Sequence, residues 1–275
     1  MRHAQRLDYV LECIGLTGNM LEFSRGPSPH QKIAQLTVET KSHRDTDHAS
    51  HSLSRVICLG VCKDDKGDQL LSREYHLSEI EIAKDPTHPA HILPPPMPAT
   101  AQILDIGCGA GQSLLAAYPG RVTFGIDIDL QALEIGRAIT EEVKFTCGRA
   151  ENLPFRDAFF DAVISRVALP YTNMSVSLRE IRRVIKQNGT LWMTVHSFAV
   201  PWRVVKRTGL KGKIYFLYIL VNSLLFNLFG RQFPFLHRYE SFQTGSGITR
   251  VLRRTGFTGI LVERGAHFVV KARAE

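Results

Sequence analysis

The rhythm of apolar and polar positions changes near residue 101. Before that point it is irregular. Leu7–Leu16 reads as a short helix, and Ser24–Ser54 is polar, rich in His, Ser and Thr, with the composition of a loop or disordered segment. Arg55–Val61 reads as a strand, followed by a turn at Asp64-Asp65-Lys66-Gly67-Asp68. Tyr75–Lys84 spaces Leu77, Ile80, Ile82 and Ala83 as a short helix would, and Asp85–Pro98, with Pro94-Pro95-Pro96, is extended.

From Ala101 onward, apolar runs of strand length alternate with helical stretches. The predicted strands are Gln102–Gly107, Val122–Asp127, Val143–Cys147, Phe160–Ser165 and Thr190–Val195. Between them fall helices at Gly111–Tyr118, Leu130–Thr140 and Ser175–Lys186, the last ended by Asn188-Gly189. A helix at Ser241–Thr255 and a strand pair, Gly259–Glu263 and His267–Lys271, close the chain. Strand–helix alternation predicts an α/β fold with a mostly parallel sheet, helices on both faces and an antiparallel C-terminal edge. Residues 1–75 form a poorly defined extension, and 76–275 the domain, with an apolar and basic insertion at 198–240.

Length and composition suit one sizeable α/β domain with embellishments. The net charge of +8 is compatible with nucleic acid, an anionic membrane or acidic substrates, and much of the excess lies after Pro201. The five cysteines, Cys13, Cys58, Cys62, Cys108 and Cys147, lack zinc-ribbon spacing and read as reduced thiols. His43, His48 and His51 read as solvated loop residues, so no metal is expected. The N-terminus lacks the basic-then-apolar order of a secretory signal, and Asp8 and Glu12 argue against a transit peptide. The expected location is cytoplasmic.

Inside the insertion, Arg203, Lys206, Arg207, Lys211 and Lys213 precede Ile214–Phe229, an apolar run broken only by Asn222, Ser223 and Asn227. Arg231 and Arg238 follow. The run is short for a spanning helix, which needs about 20 residues. Three readings stand: a buried lid over a substrate cleft, contact of 203–238 with a membrane surface, and an oligomer contact.

The chemistry concentrates in Ile103-Leu104-Asp105-Ile106-Gly107-Cys108-Gly109-Ala110-Gly111. An apolar strand carrying an Asp runs into alternating glycines at a helix start, which lets backbone approach a ligand closely. About twenty residues on, Asp127 ends the next strand, in Gly125-Ile126-Asp127-Ile128-Asp129, where a carboxylate can accept hydrogen bonds from both ribose hydroxyls. Together with Gly148-Arg149-Ala150-Glu151-Asn152-Leu153-Pro154-Phe155 and Phe160–Arg166, these stretches resemble class I S-adenosylmethionine-dependent methyltransferases of the small-molecule and quinone type. The resemblance is strong over Ala101–His196 and looser over Ser241–Ala272.

That resemblance implies a Rossmann-like seven-stranded sheet and S-adenosyl-L-methionine as cofactor. It places Asp105, Gly107, Cys108, Gly109, Gly111, Asp127, Ile128, Ala150, Glu151, Ser165 and Arg166 around the cofactor. Arg149 stands where the family often has Asp, and Val167-Ala168 follows Arg166 where the family often has a Leu–His pair. Glu180 and Arg183 read as a helix-surface pair. Tyr171 and His196, near the ends of the fourth and fifth strands, are candidates for base or acceptor contact.

Fold and cofactor do not fix the acceptor. The apolar insertion points to a small or lipophilic one, such as a quinone-like molecule, a lipid or a glycolipid. A non-catalytic cofactor-binding regulator or scaffold is the alternative. An RNA methyltransferase ranks last, because no RNA-binding module is recognisable in the N-terminal part. Methylation of DNA bases is disfavoured by the lack of an Asn-Pro-Pro-Tyr-like motif. The G-x-G-x-G spacing disfavours a nicotinamide dehydrogenase.

Overall fold

Five parallel strands carry the fold: β1 (Ile103–Ile106), β2 (Thr123–Asp127), β3 (Val143–Cys147), β4 (Phe160–Arg166) and β5 (Ile185–Thr194). The computed structural model describes residues 66–196, 210–235 and 239–275. A C-terminal hairpin, β6 (Phe257–Arg264) and β7 (Phe268–Ala274), adds to the far side of β5 through antiparallel pairing with β7. The sheet order is β3-β2-β1-β4-β5-β7-β6, so the antiparallel strand lies one in from the edge. The readings for Leu7–Leu16, Ser24–Ser54 and Arg55–Val61, and those for His43, His48, His51, Cys13, Cys58 and Cys62, lie outside the described residues.

Helices cover both faces, so β1 is buried at every position. The helices are α1 (Lys66–Lys84), α2 (Gln112–Ala117), α3 (Leu130–Ile139), α4 (Met174–Val184), α5 (Leu210–Phe229) and α6 (Gly245–Arg254). On one face, Leu114 and Tyr118 pack with Ile103, Ile164 and Trp192. On the other, Leu178, Ile181 and Val184 of α4, Ile248, Val251 and Leu252 of α6 and Phe226 of α5 join Leu104, Val163 and Leu191. Asn173 caps α4 by accepting from Val176 N, and Thr244 caps α6 by accepting from Gly247 N.

Three elements differ from the sequence reading. The helix expected over Tyr75–Lys84 begins at Lys66, inside the expected turn at Asp64–Asp68. The helix expected to end at Asn188-Gly189 ends at Val184, and β5 starts at once with Ile185 opposite Phe160. Ile185 is fully buried there, and burial against Phe160 overrides the helical spacing. Asn188 (φ 63°) instead lies where the β4–β5 register shifts. The insertion helix α5 begins at Leu210, ahead of the apolar run, so its 20 residues reach spanning length; Phe226 is in the core, whereas Leu217 and Leu224 are exposed.

Glu180 and Arg183 are more than a surface pair. Arg183 donates to Leu153 O and Phe155 O at 2.8 Å and to Asp157 Oδ1 at 2.7 Å, while Glu180 accepts from Leu153 N at 2.9 Å. Together they clamp the loop between β3 and β4 onto α4. Beside that loop, Phe160 meets Phe124, Phe155 and Phe159 edge-on, with centroids at 5.5, 5.1 and 4.8 Å. Phe160→Ala leaves a cavity at this junction, and the expected loss of stability is about 3–5 kcal/mol in a denaturant titration.

Candidate functional site

The chain turns out of β1 through Gly107 (φ 73°), Gly109 (φ 53°) and Gly111 (φ 84°). A Cβ on Gly107 would lie 2.0 Å from the Cβ of Ala168, so glycine is required there on both conformational and steric grounds. Gly107 N and Cys108 N both donate to Ile126 O, at 2.8 and 3.1 Å. The Cys108 side chain is buried against Gly125, and burial pushes its thiol up. At Gly111 the constraint is a ring: Phe145 slots between Gly111 and Gly136, where added Cβ atoms would stand 2.9 and 2.4 Å from its Cζ.

Asp127 joins this loop to the next element. Its Oδ2 accepts from Gly109 N at 2.7 Å and its Oδ1 from Asp129 N at 2.9 Å. Burial raises its carboxyl, and these two N–H groups oppose the rise. Asp129 in turn caps α3, accepting from Gln131 N at 3.0 Å. Ile128, between the two carboxylates, is 64% exposed, an uncovered apolar side chain beside the loop.

The sequence reading missed the contribution of α1. His76, Glu79, Ile80 and Ala83 share its buried face, the i, i+3, i+4, i+7 set, whereas Leu77 is exposed. Glu79 Oε2 accepts from Arg166 Nη2 at 2.5 Å, and His76 Nε2 lies 3.7 Å from Asp129 Oδ2. A His and a Glu on the face that also carries Ile80 and Ala83 were the available signal. Arg166 is therefore held by a buried carboxylate. By strand register, Asp105, Arg166 and Thr194 stand on one sheet face. Burial raises the Asp105 carboxyl to about 8, even though the Arg166 charge opposes this. Ser165, fully buried, donates its hydroxyl to Ile106 O at 2.8 Å and so pins β4 to β1.

After Arg166, Val167 adopts φ 67°, a left-handed conformation rare for a β-branched residue and costing about 1–3 kcal/mol. This turn delivers Ala168 against Gly107 and leads into a 3₁₀ turn at Leu169–Tyr171. Beyond β3, Ala150 is buried. Glu151 is turned inward, accepting from Asn173 N at 3.0 Å, and its partner Arg149 lies at 3.6 Å.

Tyr171 and His196 do come together, edge to face, with ring centroids 5.2 Å apart. His196 O accepts from Gln243 N at 2.9 Å, and Ser241 N donates to Pro170 O at 3.2 Å. The segment before α6 thus closes on the end of β5. Burial lowers the His196 imidazole to about 4, so it is neutral at neutral pH.

Among the described residues, six buried side-chain polar atoms lack a hydrogen-bond partner. They fall into two groups at the carboxyl ends of the strands. His76 Nδ1, Asp105 Oδ1 and Gln112 Oε1 surround the glycine loop, and Thr194 Oγ1, His196 Nε2 and Gln243 Oε1 surround the end of β5. Unpaired buried polar groups are costly, so each of these atoms calls for a partner from outside the chain, a ligand atom or a water. A groove of about 450 Å³ lined by Met97, Asp161, Lys186 and Thr190 lies at the opposite, amino-terminal edge and holds none of these groups.

The model of a methyltransferase domain family matches residues 104–193. A demethylmenaquinone methyltransferase of Thermotoga maritima is 32% identical over 168 residues, covering 57% of this chain and 69% of that protein. The uncharacterized methyltransferase YcgJ of Bacillus subtilis is 34% identical over 105 residues, 36% of this chain. That match spans 42% of YcgJ's own length. The crystal structure of YcgJ aligns at TM-score 0.46 and 16% identity, covering 74% of this chain and 99% of that one.

The burial of neutral His196 has a consequence in acid. An imidazole lowered in the folded state binds fewer protons than its unfolded counterpart between pH about 4 and 6.5, so its contribution to stability falls as pH drops through that window. His196→Gln is expected to flatten the acid limb of a Tm-against-pH curve between pH 6.5 and 4. An unchanged limb would contradict the assignment.

Proposed function

Because this chain belongs to the class I S-adenosylmethionine-dependent methyltransferases, we propose that it methylates a small, lipophilic acceptor seated at the carboxyl end of β5. The observation that carries this reading is the division of the unpartnered buried polar atoms into two groups, one at the glycine loop and one beside Tyr171 and His196. The first group fits the cofactor and the second an acceptor.

S-adenosylmethionine supplies a methyl group activated on a sulfonium, ready for in-line displacement. In this reading the chain contributes binding and orientation. Asp105, through its unpartnered Oδ1, would take the cofactor's ammonium. Asp127, already fixed by two backbone N–H groups, would accept the ribose hydroxyls with its remaining lone pairs. Gly107, Cys108, Gly109 and Gly111 would give close backbone approach, with Ile128 and the backbone of Ala150 beside the adenine. Ser165 and Glu151 act as positioning residues, because their side chains are committed to Ile106 O and Asn173 N. Arg166 alone would repel a cationic cofactor, and Glu79 offsets its charge.

His196 is the group we assign to the acceptor's polar atom. It is neutral, its Nε2 has no partner, and Tyr171 lies edge-on against it. The insertion frames this end: Gln232 Nε2 donates to Ser241 Oγ at 2.8 Å and Gln232 Oε1 accepts from Met174 N at 2.9 Å. The apolar insertion and the quinone-modifying relative favour a quinone-like or lipid acceptor.

Calorimetric titration with S-adenosylmethionine and S-adenosylhomocysteine tests the first half. Micromolar binding is expected, weakened about 10–100-fold by Asp127→Ala. A folded protein that binds neither would overturn the reading. Cofactor binding with no methyl transfer across radiolabelled screens of quinone, lipid and small-molecule acceptors would replace the enzyme by a cofactor-binding scaffold.

Asp105 gives an independent signature. A carboxyl near 8 is mostly protonated at pH 7, and engaging a cation favours its charged form. Cofactor binding should therefore release a proton, seen as a dependence of binding enthalpy on buffer ionisation enthalpy. Asp105→Asn abolishes that dependence.

A further inference from the structure

Helix α5 is built with its polarity reversed. Its buried face holds the polar residues. Asn222 Nδ2 donates to Tyr239 O at 3.1 Å and Glu240 O at 3.0 Å, and its Oδ1 accepts from Phe233 N at 2.9 Å. Ser223 Oγ accepts from Phe242 N at 2.9 Å, and Asn227 Oδ1 accepts from Thr244 N at 2.8 Å. Gly247 of α6 abuts Asn227 so closely that a Cβ there would stand 2.1 Å from its Oδ1. The outward face is apolar: Ile214, Leu217, Val221, Leu224 and Leu228 are 55, 59, 42, 58 and 50% exposed. Their 3-4-3-4 spacing makes one stripe about 21 Å long, confined to a sector of roughly 80°. Phe229, Phe233 and Phe235 extend the exposed apolar surface past its end.

Charge selects what covers this stripe. Of the chain's 34 Lys and Arg, seven lie in residues 201–238, which contain none of the 26 Asp and Glu. Nearly all of the net +8 therefore belongs to the stretch around the helix. Exposed Lys213 and Arg231 flank the stripe within the described residues. A second copy would set like charge against like charge along the contact. An anionic lipid surface matches both the apolar stripe and the cations. Spanning is ruled out by the inner face, whose asparagines and serine are committed to the domain.

We propose that the outward face of α5 docks the protein flat on an anionic membrane, with the stripe in the headgroup–acyl boundary and the cations at the headgroups. This surface is separate from the cofactor loop and does not rest on the methyltransferase reading.

The test is vesicle flotation of the full chain, using phosphatidylcholine vesicles with and without phosphatidylglycerol. Binding is expected only to the anionic vesicles, falling as salt rises. Leu217→Glu with Leu224→Glu should weaken it at least roughly tenfold, with circular dichroism and Tm unchanged because both positions are exposed. Lys213→Ala and Arg231→Ala should each weaken it roughly five-fold. Failure to float, equal flotation with neutral vesicles, or binding indifferent to the double substitution would overturn the proposal. Sedimentation showing a dimer that the double substitution dissociates, without flotation, would assign the stripe to a second copy instead.

Discussion

One carboxylate ties the carboxyl end of the β1–β2 pair together. Asp127 uses one oxygen to hold the N–H of Gly109 and the other to hold the N–H of Asp129. The first bond fixes the glycine loop relative to the end of β2. The second aims Asp129 at the amino end of α3, and Asp129 also faces His76 on α1. Loop, strand, helix cap and overlying helix are thus linked through two adjacent acidic side chains. Hydrogen bonds to an ionised acceptor are the stronger kind, and they become stronger still where water is scarce.

Around this anchor the molecule buries ionisable groups that would be unfavourable in isolation. Asp105 is buried on β1, and Arg166 lies across the sheet on the same face, itself held by Glu79. A buried charged pair gives little stability of its own, because desolvation offsets most of the attraction. Arg166 is engaged by Glu79, and one carboxyl oxygen of Asp105 has no partner. The unpaired buried atoms at the carboxyl edge cost the fold stability.

The parts of this site that were legible in the sequence are local ones. An apolar run, alternating glycines and an Asp twenty residues on are set by short-range backbone requirements, so Gly107 and Asp127 could be placed from spacing alone. Glu79 could not, because its partner Arg166 is 87 residues away and nothing in either segment announces the other. The start of β5 was misread for a related reason: Ile185 continues the helical spacing of Ile181 and Val184, and only its pairing with Phe160 makes it a strand residue. Arg183 looked like half of a surface pair, since two backbone carbonyls from a distant loop leave no trace in sequence. The apolar content of α5 was plain, but which side of it faced outward depended on the loop that binds Asn222.

The Phe145 ring has a consequence for the order in which the protein assembles. It occupies a slot formed by Gly111 of the loop and Gly136 of α3, and it arrives on β3, at the edge of the sheet. The ring forms one wall of the loop, so the loop's packing is completed by a residue of the edge strand. The native packing of the loop and the pairing of β2 with β3 are therefore coupled. Contacts this distant in sequence form slowly, since chain entropy is lost before they reward it. During synthesis β3 follows the loop it packs against, so the contact that completes the loop's wall waits on Phe145.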